Sequence, residues 1–403
     1  MVSNAYYPAD PRLRRQAETL LAHGYAVEVL CQRQPTESVE ENILGVHVRR
    51  VGGIKYRGAS VHHYLSSNLS FFFRVLLTLT LGELRHGYAA VQVYSMPEAL
   101  VFTALWPRLR GVPLIYDAGD LTTELYPSKF GPRGGWILSA LLRAQERLCL
   151  GFADLIITVH EEYRRRLLAR GVAPERLRIA MNLPDRQLFK RALSTPAQRH
   201  PEHFTLVHHG SLVRRYGVDV LLRAVACLRD SIPSLRLQIY GDGDFRPYLA
   251  ALIDEFGLAD YVTLTAGYVP LEELLPLLAC ADVAIVPHRA DPFTDTILPN
   301  KLFEYLALGL PTVVTRTQTV LLHIPDGVVE YCEPNDVEAL AQAIRRLWAA
   351  PAYRQALAAK AQAFGEAHWW DEVAAAYCAD VDAVVASHGR FGPTTSLTSR
   401  TNQ

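Results

Sequence analysis

Apolar residues fall into short runs that alternate with amphipathic segments along most of the chain. In the first half, five runs rich in β-branched and aromatic residues predict strands, at 25–31, 45–51, 90–94, 113–117 and 154–158. Four segments with helical spacing of apolar residues accompany them, at 11–21, 71–84, 136–149 and 161–170. This alternation of strand and helix predicts a parallel sheet with helices on both faces.

The second half repeats the same alternation. Its predicted strands are 204–208, 235–240, 261–265, 283–286 and 312–315. Sheets of this kind bind ligands beyond the carboxyl ends of their strands. A chain of 403 residues is also too long for one ordinary core. We therefore predict an α/β protein with two Rossmann-like, doubly wound domains that face a cleft.

Composition along the chain predicts where these domains begin and end. Residues 1–190 form the predicted N-terminal domain, and the polar, proline-containing stretch 191–203 (RALSTPAQRHPEH) is typical of a linker. The C-terminal domain is predicted at 204–365. After it we expect a helix at 366–386 that packs back toward the first domain, and then a disordered polar tail at 387–403.

Charge is balanced overall but unevenly distributed. Residues 1–190 contain 24 Lys and Arg against 17 Asp and Glu, whereas the rest of the chain contains 17 against 24. A basic half indicates either phosphates or an anionic surface as a partner, or simple attraction to the acidic half. The basic runs Arg12/Arg14/Arg15 and Arg164/Arg165/Arg166 lead us to expect peripheral contact with an anionic membrane. We expect no nucleic-acid partner.

The cysteines and the chain start bear on the cell compartment. Six cysteines stand singly in apolar segments without C-x-x-C spacing, which predicts buried thiols in a reducing compartment. The first residues lack the basic start and apolar run of a signal peptide, and residues 1–4 resemble the second half of a strand. The most apolar stretch, 69–84, contains Arg74 and Glu83 and is short for a membrane span. We expect a cytoplasmic protein, at the inner face of the cell membrane.

One predicted helix carries unusual chemistry. The segment PNKLFEYLALGLP has Pro299 for the first turn, Gly309 for the left-handed position after the helix, and Pro311 beyond it. Most of its side chains are apolar, so the helix is predicted to be buried. Lys301 and Glu304 share one stripe. That stripe either meets a polar ligand or forms a local pair at the surface.

Several segments in order resemble the family-four retaining glycosyltransferases of the GT-B fold. The strongest are HHGSLVRRYGVDVLLRAVACL, LQIYGDGDFRPYLAALIDEFGL and DTILPNKLFEYLALGLPTVV, and the resemblance runs from about residue 4 to about residue 377. It implies that the second domain binds a nucleotide diphosphate sugar and the first an acceptor. The acceptor is a glycan, a lipid-linked sugar or a small molecule.

The resemblance also implies donor-binding residues, with two departures from the family pattern. Members carry two glutamates eight positions apart; Glu304 fits the second, which typically holds the ribose. Thr296 stands at the first position, and Asp295 beside it is the nearest substitute. Lys301, on the same stripe as Glu304, is also expected to face the donor.

Phosphate contacts are expected in the loop that begins at Gly210. The family places an Arg and a Lys in this loop, where the chain has Ser211 and Tyr216. Arg214 and Arg215 are the expected substitutes, although a solvated basic loop is the alternative. Gly241, in the IYGDG turn, should let backbone approach the donor, and Tyr268 is a further donor-site candidate. We expect no cofactor and no metal at Asp242-Gly-Asp244 or elsewhere.

In the first domain, many relatives place a histidine where this chain has Gly119. Asp120 and Glu124 then become the expected catalytic polar groups, unless they only cap a helix. Asp10 and Asn4 are the acceptor-site candidates, with an N-cap as the other interpretation of Asp10.

Together these features predict a retaining hexosyltransferase that builds a surface polysaccharide or glycolipid. The resemblance implies a front-face reaction in which the leaving phosphate helps to deprotonate the acceptor. Two alternatives remain open: a GT-B epimerase or hydrolase, and a non-catalytic protein that binds nucleotide sugars.

Overall fold

A computed structural model describes residues 1–53, 61–121, 123–125, 135–194, 200–265 and 267–390. The chain divides into two compact units. Unit 1 comprises Met1–Asn182 and Glu372–Gln403, and unit 2 comprises Leu183–Asp371. The predicted tail at 387–403 falls mostly outside the described residues.

Unit 1 is built on a mainly parallel sheet. Its strands are β1 (Glu28–Cys31), β2 (Glu40–Ile43), β3 (Val46–Arg50), β4 (Val91–Tyr94), β5 (Leu114–Ala118), β6 (Leu155–Thr158) and β7 (Leu177–Ile179). They form the orders β1-β3-β2 and β4-β5-β6-β7, with only the β2–β3 pair antiparallel. Val2 bridges β1 and β4 through Leu30 and Val93, so residues near the chain start complete the centre of the sheet.

The following helices of the described residues accompany this sheet. They are α1 (Pro11–Ala22), α2 (Val61–Arg85), α3 (Leu105–Leu109), α4 (Gly135–Phe152), α5 (Glu161–Ala169) and the C-terminal Asp371–Ser387. That last helix belongs to unit 1, because Tyr377 donates a hydrogen bond to Gln92 Oε1 (2.7 Å) and Arg178 pairs with Asp380 (2.9 Å). A 3₁₀ helix, Glu98–Ala104, packs against α2, α3 and α4.

Unit 2 contains a six-stranded sheet in which every pair is parallel. Its strands are β8 (Phe204–His209), β9 (Leu235–Tyr240), β10 (Val262–Leu264), β11 (Val283–Val286), β12 (Thr312–Thr315) and β13 (Glu330–Cys332). Their order is β10-β9-β8-β11-β12-β13, the doubly wound order of Rossmann domains. The order reverses between β8 and β11, and a ligand crevice forms at the carboxyl ends of strands at such a point.

The helices of unit 2 pack apolar faces onto both sides of this sheet. They are α6 (Arg186–Ala192), α7 (Val218–Leu228), α8 (Arg246–Glu255), α9 (Leu271–Ala279), α10 (Asn300–Ala307), α11 (Gln318–His323), α12 (Val337–Ala349) and α13 (Pro351–Glu366); Asp371–Ser387 is then α14. Strand residues such as Leu206 and Ile285 form one buried cluster with helix residues such as Leu221 and Ile344. This core fixes the positions of the loops at the crevice.

The predicted linker needs a correction at its start. Residues 191 and 192 are the end of helix α6, whose N-cap is Asp185, and unit 2 begins earlier, at Leu183. The helix exists because Leu188 and Phe189 are buried, with the Phe189 ring against Trp369. The polar composition of 191–203 therefore marks the end of a docked helix as well as a connection. Residues 195–199 lie outside the described residues.

Candidate functional site

Two glycine-containing turns meet at the carboxyl ends of β8 and β9. Gly210 has φ +117° and Gly241 has φ +148°, conformations that favour glycine. The Gly210 N–H donates to Tyr240 O at 2.9 Å, and a Cβ on Gly241 would overlap the Gly210 carbonyl oxygen. Main chain thus packs directly against main chain at these two turns.

Lys301 points into this region from the first turn of α10. Its Nζ would lie 3.0 Å from a Cβ on Gly210 and lies 5.1 Å from the centre of the Tyr216 ring. The residue is only 9% exposed, and within the described part of the chain its Nζ has no hydrogen-bond partner. A buried ammonium group without a partner is costly unless a ligand completes its environment.

Two histidines at the sheet switch point lie beside Lys301. His208, in β8, places Nδ1 2.9 Å from Ile285 O of β11, and His288 follows β11 and stacks on Tyr216 with ring centres 4.5 Å apart. Among the described residues, His208 Nε2 and both ring nitrogens of His288 have no hydrogen-bond partner. Arg215 Nε is in the same state. Several buried donors therefore converge on one place.

Burial and mutual repulsion control the protonation of this group. Burial lowers the pKa of Lys301 to about 7, although the Glu304 carboxylate partly opposes the shift. Burial and the nearby Lys301 charge hold the pKa of both His208 and His288 well below the ordinary value. A dianionic or diphosphate ligand would supply the counter-charge that buried Lys301 lacks. It would therefore raise the pKa of Lys301 in the complex.

Glu304 lies on the same helix, one turn from Lys301, and is also buried. One of its oxygens is 2.7 Å from His209 Nε2, and His209 Nδ1 is 2.8 Å from the Tyr305 hydroxyl. The side chains of His208 and His209 thus lie on opposite faces of β8, as the alternation of side chains along a strand requires. Lys301 and Glu304 are 9% and 7% exposed, so the alternative of a local pair at the surface is wrong.

The loop after β8 is anchored to the loop after β11. Arg289 N–H donates to Arg215 O (2.9 Å), and the Arg289 side chain reaches Asp219 (2.5 Å). Gly217 has φ +66° and packs so closely on Pro287 that a Cβ would overlap its carbonyl oxygen. This anchoring orients Arg215, whose guanidinium lies 5.3 Å from the Phe293 ring centre.

The other predicted donor residues differ in how far they are buried. Ser211 and Arg214 are exposed, so of the two candidate arginines Arg215 is the one held inward. Tyr268 is 61% exposed in the loop after the edge strand β10, away from the β8–β11 switch point. Of these predicted donor residues, Arg215 therefore has the strongest support as a member of the cluster around Lys301.

Asp295 and Thr296 lie in the turn before α10. Thr296 is 1% exposed and donates its hydroxyl hydrogen to Phe293 O at 2.7 Å, so it stabilises the turn. Burial raises the pKa of Asp295, against a hydrogen bond from the Gln318 backbone at the start of α11. Both residues have structural partners, and the substitution of Asp295 for the first glutamate stays a prediction.

The acceptor-site candidates in unit 1 have evident structural tasks. Asp10 is the N-cap of α1, accepting hydrogen bonds from the N–H groups of Arg12 (3.0 Å) and Leu13 (2.9 Å). Asn4 is 5% exposed; it donates to Asn68 Oδ1 and accepts from Gln32 Nε2. The N-cap interpretation of Asp10 is therefore confirmed, and its acceptor role stays a prediction.

Asp120 and Glu124 have different surroundings. Asp120 follows β5 and is half-buried, with its backbone N–H 3.4 Å from Ser95 Oγ. The Glu124 carboxylate accepts hydrogen bonds from Arg166 of α5 (3.1 Å) and from Arg170, the residue directly after α5. Glu124 thus joins a structural ion-pair network. Both guanidinium groups bind Oε1, and the Thr123 hydroxyl donates to Oε2 at 2.6 Å. A catalytic role for Glu124 stays a prediction.

The arginines of the basic runs predicted to face a membrane have partners within the fold. Arg12 is 8% exposed and pairs with buried Asp117 (2.9 Å), and Arg15 is bound to Asn182. In the second run, Arg165 and Arg166 both pair with Glu162, at 2.6 and 2.7 Å. Arg12 and Arg15 are therefore buried, whereas Arg165 is exposed and shares the carboxylate of Glu162 with Arg166. Membrane contact through these runs stays a prediction.

Sequence reasoning missed four members of the site. They are His208, His288, His209 as the partner of Glu304, and Tyr216, whose ring lies near Lys301 Nζ. The available signal was position, since His288 comes directly after the buried strand VAIV. Within the described ranges there is no group of three His, Cys, Asp or Glu side chains that could hold a metal ion. Nor does any helix there have the length and apolarity needed to cross a membrane.

Solved structures identify the architecture. Sucrose-phosphate synthase from Thermosynechococcus elongatus matches with a TM-score of 0.71 at 20% identity, over 93% of each chain. HepE from Anabaena, solved with UDP-glucose, matches with a TM-score of 0.67 at 15% identity, over 96% of this chain and 98% of that one. The two Rossmann-like units have the GT-B fold.

Family comparisons identify the class more narrowly. The family model "Glycosyl transferases group 1" matches residues 203–350, and "Glycosyl transferase 4-like domain" matches residues 9–182. The chain belongs to the group 1 glycosyltransferases, which confirms the resemblance found in the sequence.

Individual relatives are more distant. A lipopolysaccharide core biosynthesis glycosyltransferase of Rhizobium meliloti, LpsD, is 33% identical over 170 residues, 41% of this chain and 44% of the relative. A GDP-mannose-dependent phosphatidylinositol monomannoside mannosyltransferase of Mycolicibacterium smegmatis is 29% identical over 265 residues, 63% of this chain and 68% of the relative. The match thus spans less than half the length of the first relative.

Proposed function

We propose that this protein transfers a hexose from a nucleotide diphosphate sugar to an acceptor hydroxyl, with retention of anomeric configuration. One observation carries the proposal: among the residues that the structure describes, buried Lys301 Nζ and the ring nitrogens of His288 have no hydrogen-bond partner at the switch point of a Rossmann sheet. An anionic ligand there would satisfy these donors and the lysine charge together. Membership of the group 1 glycosyltransferases supports a nucleotide sugar as that ligand.

Each member of the cluster has a proposed task. Lys301 and Arg215 neutralise the diphosphate, and neutral His288 can offer one ring N–H as a further donor. The N–H of neutral His208 is donated to Ile285 O instead. Glu304 accepts hydrogen bonds from the ribose hydroxyls, and His209 fixes the orientation of its carboxylate through the 2.7 Å contact. His209 is in turn fixed by Tyr305, at 2.8 Å, so the chain Tyr305–His209–Glu304 positions the ribose contact.

The proposed chemistry needs no dedicated protein base. The bond between the sugar's anomeric carbon and the phosphate oxygen breaks while the acceptor oxygen bonds to the same face of that carbon. The acceptor proton passes to the leaving phosphate oxygen. The cationic cluster stabilises the charge that develops on the diphosphate, which lowers the barrier to departure. We propose that the phosphate charge is balanced by these side chains without a metal ion or another cofactor.

We further propose that the acceptor is a glycan, a lipid-linked sugar or a small molecule, bound by unit 1, with Asp120 as its nearest polar group. The product is a surface polysaccharide or glycolipid. This function places the protein in the cytoplasm at the inner face of the cell membrane. The choice of acceptor class is supported by two relatives, a lipopolysaccharide core biosynthesis glycosyltransferase and a phosphatidylinositol monomannoside mannosyltransferase.

Calorimetric titration with UDP, GDP and ADP tests the donor site. Glu304→Gln keeps the shape and a hydrogen bond to His209 but removes the charge. It should bind the preferred nucleotide roughly ten- to a hundredfold more weakly, the effect of losing charge-assisted hydrogen bonds. Thr296→Ala is the matched control, because its hydroxyl serves only the turn before α10, and its affinity should stay near that of the wild type.

Two results would count against the proposal. Wild-type affinity in Glu304→Gln would remove the ribose assignment, and no binding of any nucleotide by the wild type would remove the donor site. Product analysis with the preferred nucleotide sugar then separates transfer from the alternatives. Sugar released or epimerised without an acceptor indicates a hydrolase or epimerase, and binding without turnover indicates a non-catalytic protein.

A further inference from the structure

Helix α2 carries a row of exposed apolar side chains along one face. They recur every three or four residues and are between 38% and 61% exposed: Leu69, Phe73, Leu77, Leu81 and Leu84. The opposite face, with Phe71, Val75 and Leu79, is buried. The exposed row therefore does not pack against the sheet. Large apolar side chains that lie next to one another at a surface usually mark an interaction site.

The same surface continues onto two neighbouring helices. On α3, Leu105, Trp106 and Leu109 are exposed, and on α4 the exposed apolar side chains are Trp136, Leu141 and Leu148. All three helices pack around the 3₁₀ helix Glu98–Ala104, and the Phe102 and Phe152 rings join it to α4 at 5.1 Å. We call the exposed apolar residues of α2, α3 and α4 the apolar surface.

The charges of these helices have one sign at the surface. Arg74 and Arg85 of α2 and Arg143 and Arg147 of α4 are exposed. The acidic residues of the described parts of α2, α3 and α4 are Glu83 and Glu146, which are only 6% and 5% exposed. Arg110, directly after α3, is exposed as well. An apolar face bordered by arginine is typical of helices that lie in the headgroup region of an anionic membrane.

We infer that the apolar surface of α2, α3 and α4 docks unit 1 on an anionic lipid bilayer. The leucine and aromatic side chains enter the boundary of the acyl chains, and the arginines contact anionic headgroups. This surface replaces the basic runs that the sequence indicated, because those arginines are paired within the fold. The inference depends on unit 1 alone and does not rest on the proposed donor chemistry.

Two other occupants fit the surface less well. A second copy that met this surface across a twofold axis would place its arginines against those of the first copy. Repulsion between like charges in a buried interface makes this arrangement unfavourable. The chain beyond Arg390 is polar, and residues 391–403 include only Phe391 and Leu397 as large apolar residues. Charge complementarity therefore selects the anionic bilayer.

Flotation with phosphatidylcholine vesicles, with and without phosphatidylglycerol, tests the inference on the full-length protein. The wild type should float with the anionic vesicles and much less with neutral ones, and high salt should weaken binding, because arginine contacts are screened. The double variant Leu77→Gln/Leu148→Gln should bind the anionic vesicles at least roughly tenfold more weakly than the wild type, because two leucines no longer enter the bilayer. Glutamine preserves helix propensity.

The matched control is Leu277→Gln/Leu322→Gln, which changes two leucines of unit 2 helices that are 42% and 68% exposed. It should float like the wild type, and both double variants should bind the preferred nucleotide with unchanged affinity. Three results would overturn the inference: no wild-type flotation at low salt, equal loss in the control variant, or sedimentation showing a wild-type dimer that Leu77→Gln/Leu148→Gln converts to a monomer. The third would assign the surface to a second copy.

Discussion

The buried ammonium group of Lys301 leads to a specific pH dependence of donor binding. The perturbation is a change of pH from 6 to 8.5 in the wild-type protein. A nucleotide sugar is the suitable ligand, because its diphosphate diester does not titrate in this range. Any change in affinity then reports protein groups, and the low pKa values of His208 and His288 keep both neutral throughout.

The sign and size follow from the pKa of Lys301, which burial lowers to about 7. Below that pH the lysine is already charged, so the anion binds without proton uptake. Above it, binding requires protonation, because the diphosphate raises the lysine pKa in the complex. Affinity should therefore be highest near pH 6 and fall by about tenfold by pH 8, one factor of ten per pH unit above 7.

Calorimetry in buffers of different ionisation enthalpy measures both the affinity and the proton uptake. Uptake should approach one proton near pH 8 and vanish near pH 6. Lys301→Met provides the control: it should bind weakly and with no pH dependence, since it has no group to protonate. A wild-type affinity that is flat from pH 6 to 8.5, or one that rises with pH, would refute the assignment of Lys301 to the phosphates.

Two further predictions concern other parts of the fold. Iodoacetamide at pH 8 should modify Cys227 and Cys280 quickly, because they are exposed and half-buried, and the four buried thiols slowly; mass spectrometry after timed quenching measures this, and equal rates at all six would contradict it. Gly241→Ala should lower the free energy of unfolding of unit 2 by about 2 to 4 kcal/mol, because its Cβ would overlap Gly210 O at a left-handed φ. Denaturant titration should show no comparable loss for Gly151→Ala, where a Cβ meets nothing within 4 Å.

The cysteine prediction also corrects the sequence interpretation. Six thiols in apolar segments suggested six buried sites, yet Cys227 is exposed at the solvent side of α7, whose opposite face is buried. An amphipathic helix admits a small apolar residue on its outer face at little cost. Burial raises the pKa of Cys149 and Cys332 to about 12, which makes these thiols unreactive as expected.

The local elements of this protein could be predicted from the amino-acid sequence. Predicted strands at 204–208 and 235–240 correspond to Phe204–His209 and Leu235–Tyr240. Pro299 and Gly309 bracket the observed helix Asn300–Ala307, with Gly309 at φ +66° as expected for the residue after a helix. These features depend on side-chain periodicity and on the backbone preferences of proline and glycine, which neighbours in sequence decide.

Which polar groups lie together depends on the three-dimensional fold and could not be predicted from the sequence. The order of the sheet places β8 beside β11 and so brings His208, His288 and Lys301 together from segments far apart in the chain. It also pairs Arg12 with Asp117 and Glu124 with Arg170, while leaving the apolar row of α2 exposed. Charge, burial and pKa are properties of a side chain's surroundings, and those surroundings are set by strand order and helix packing, not by spacing along the sequence.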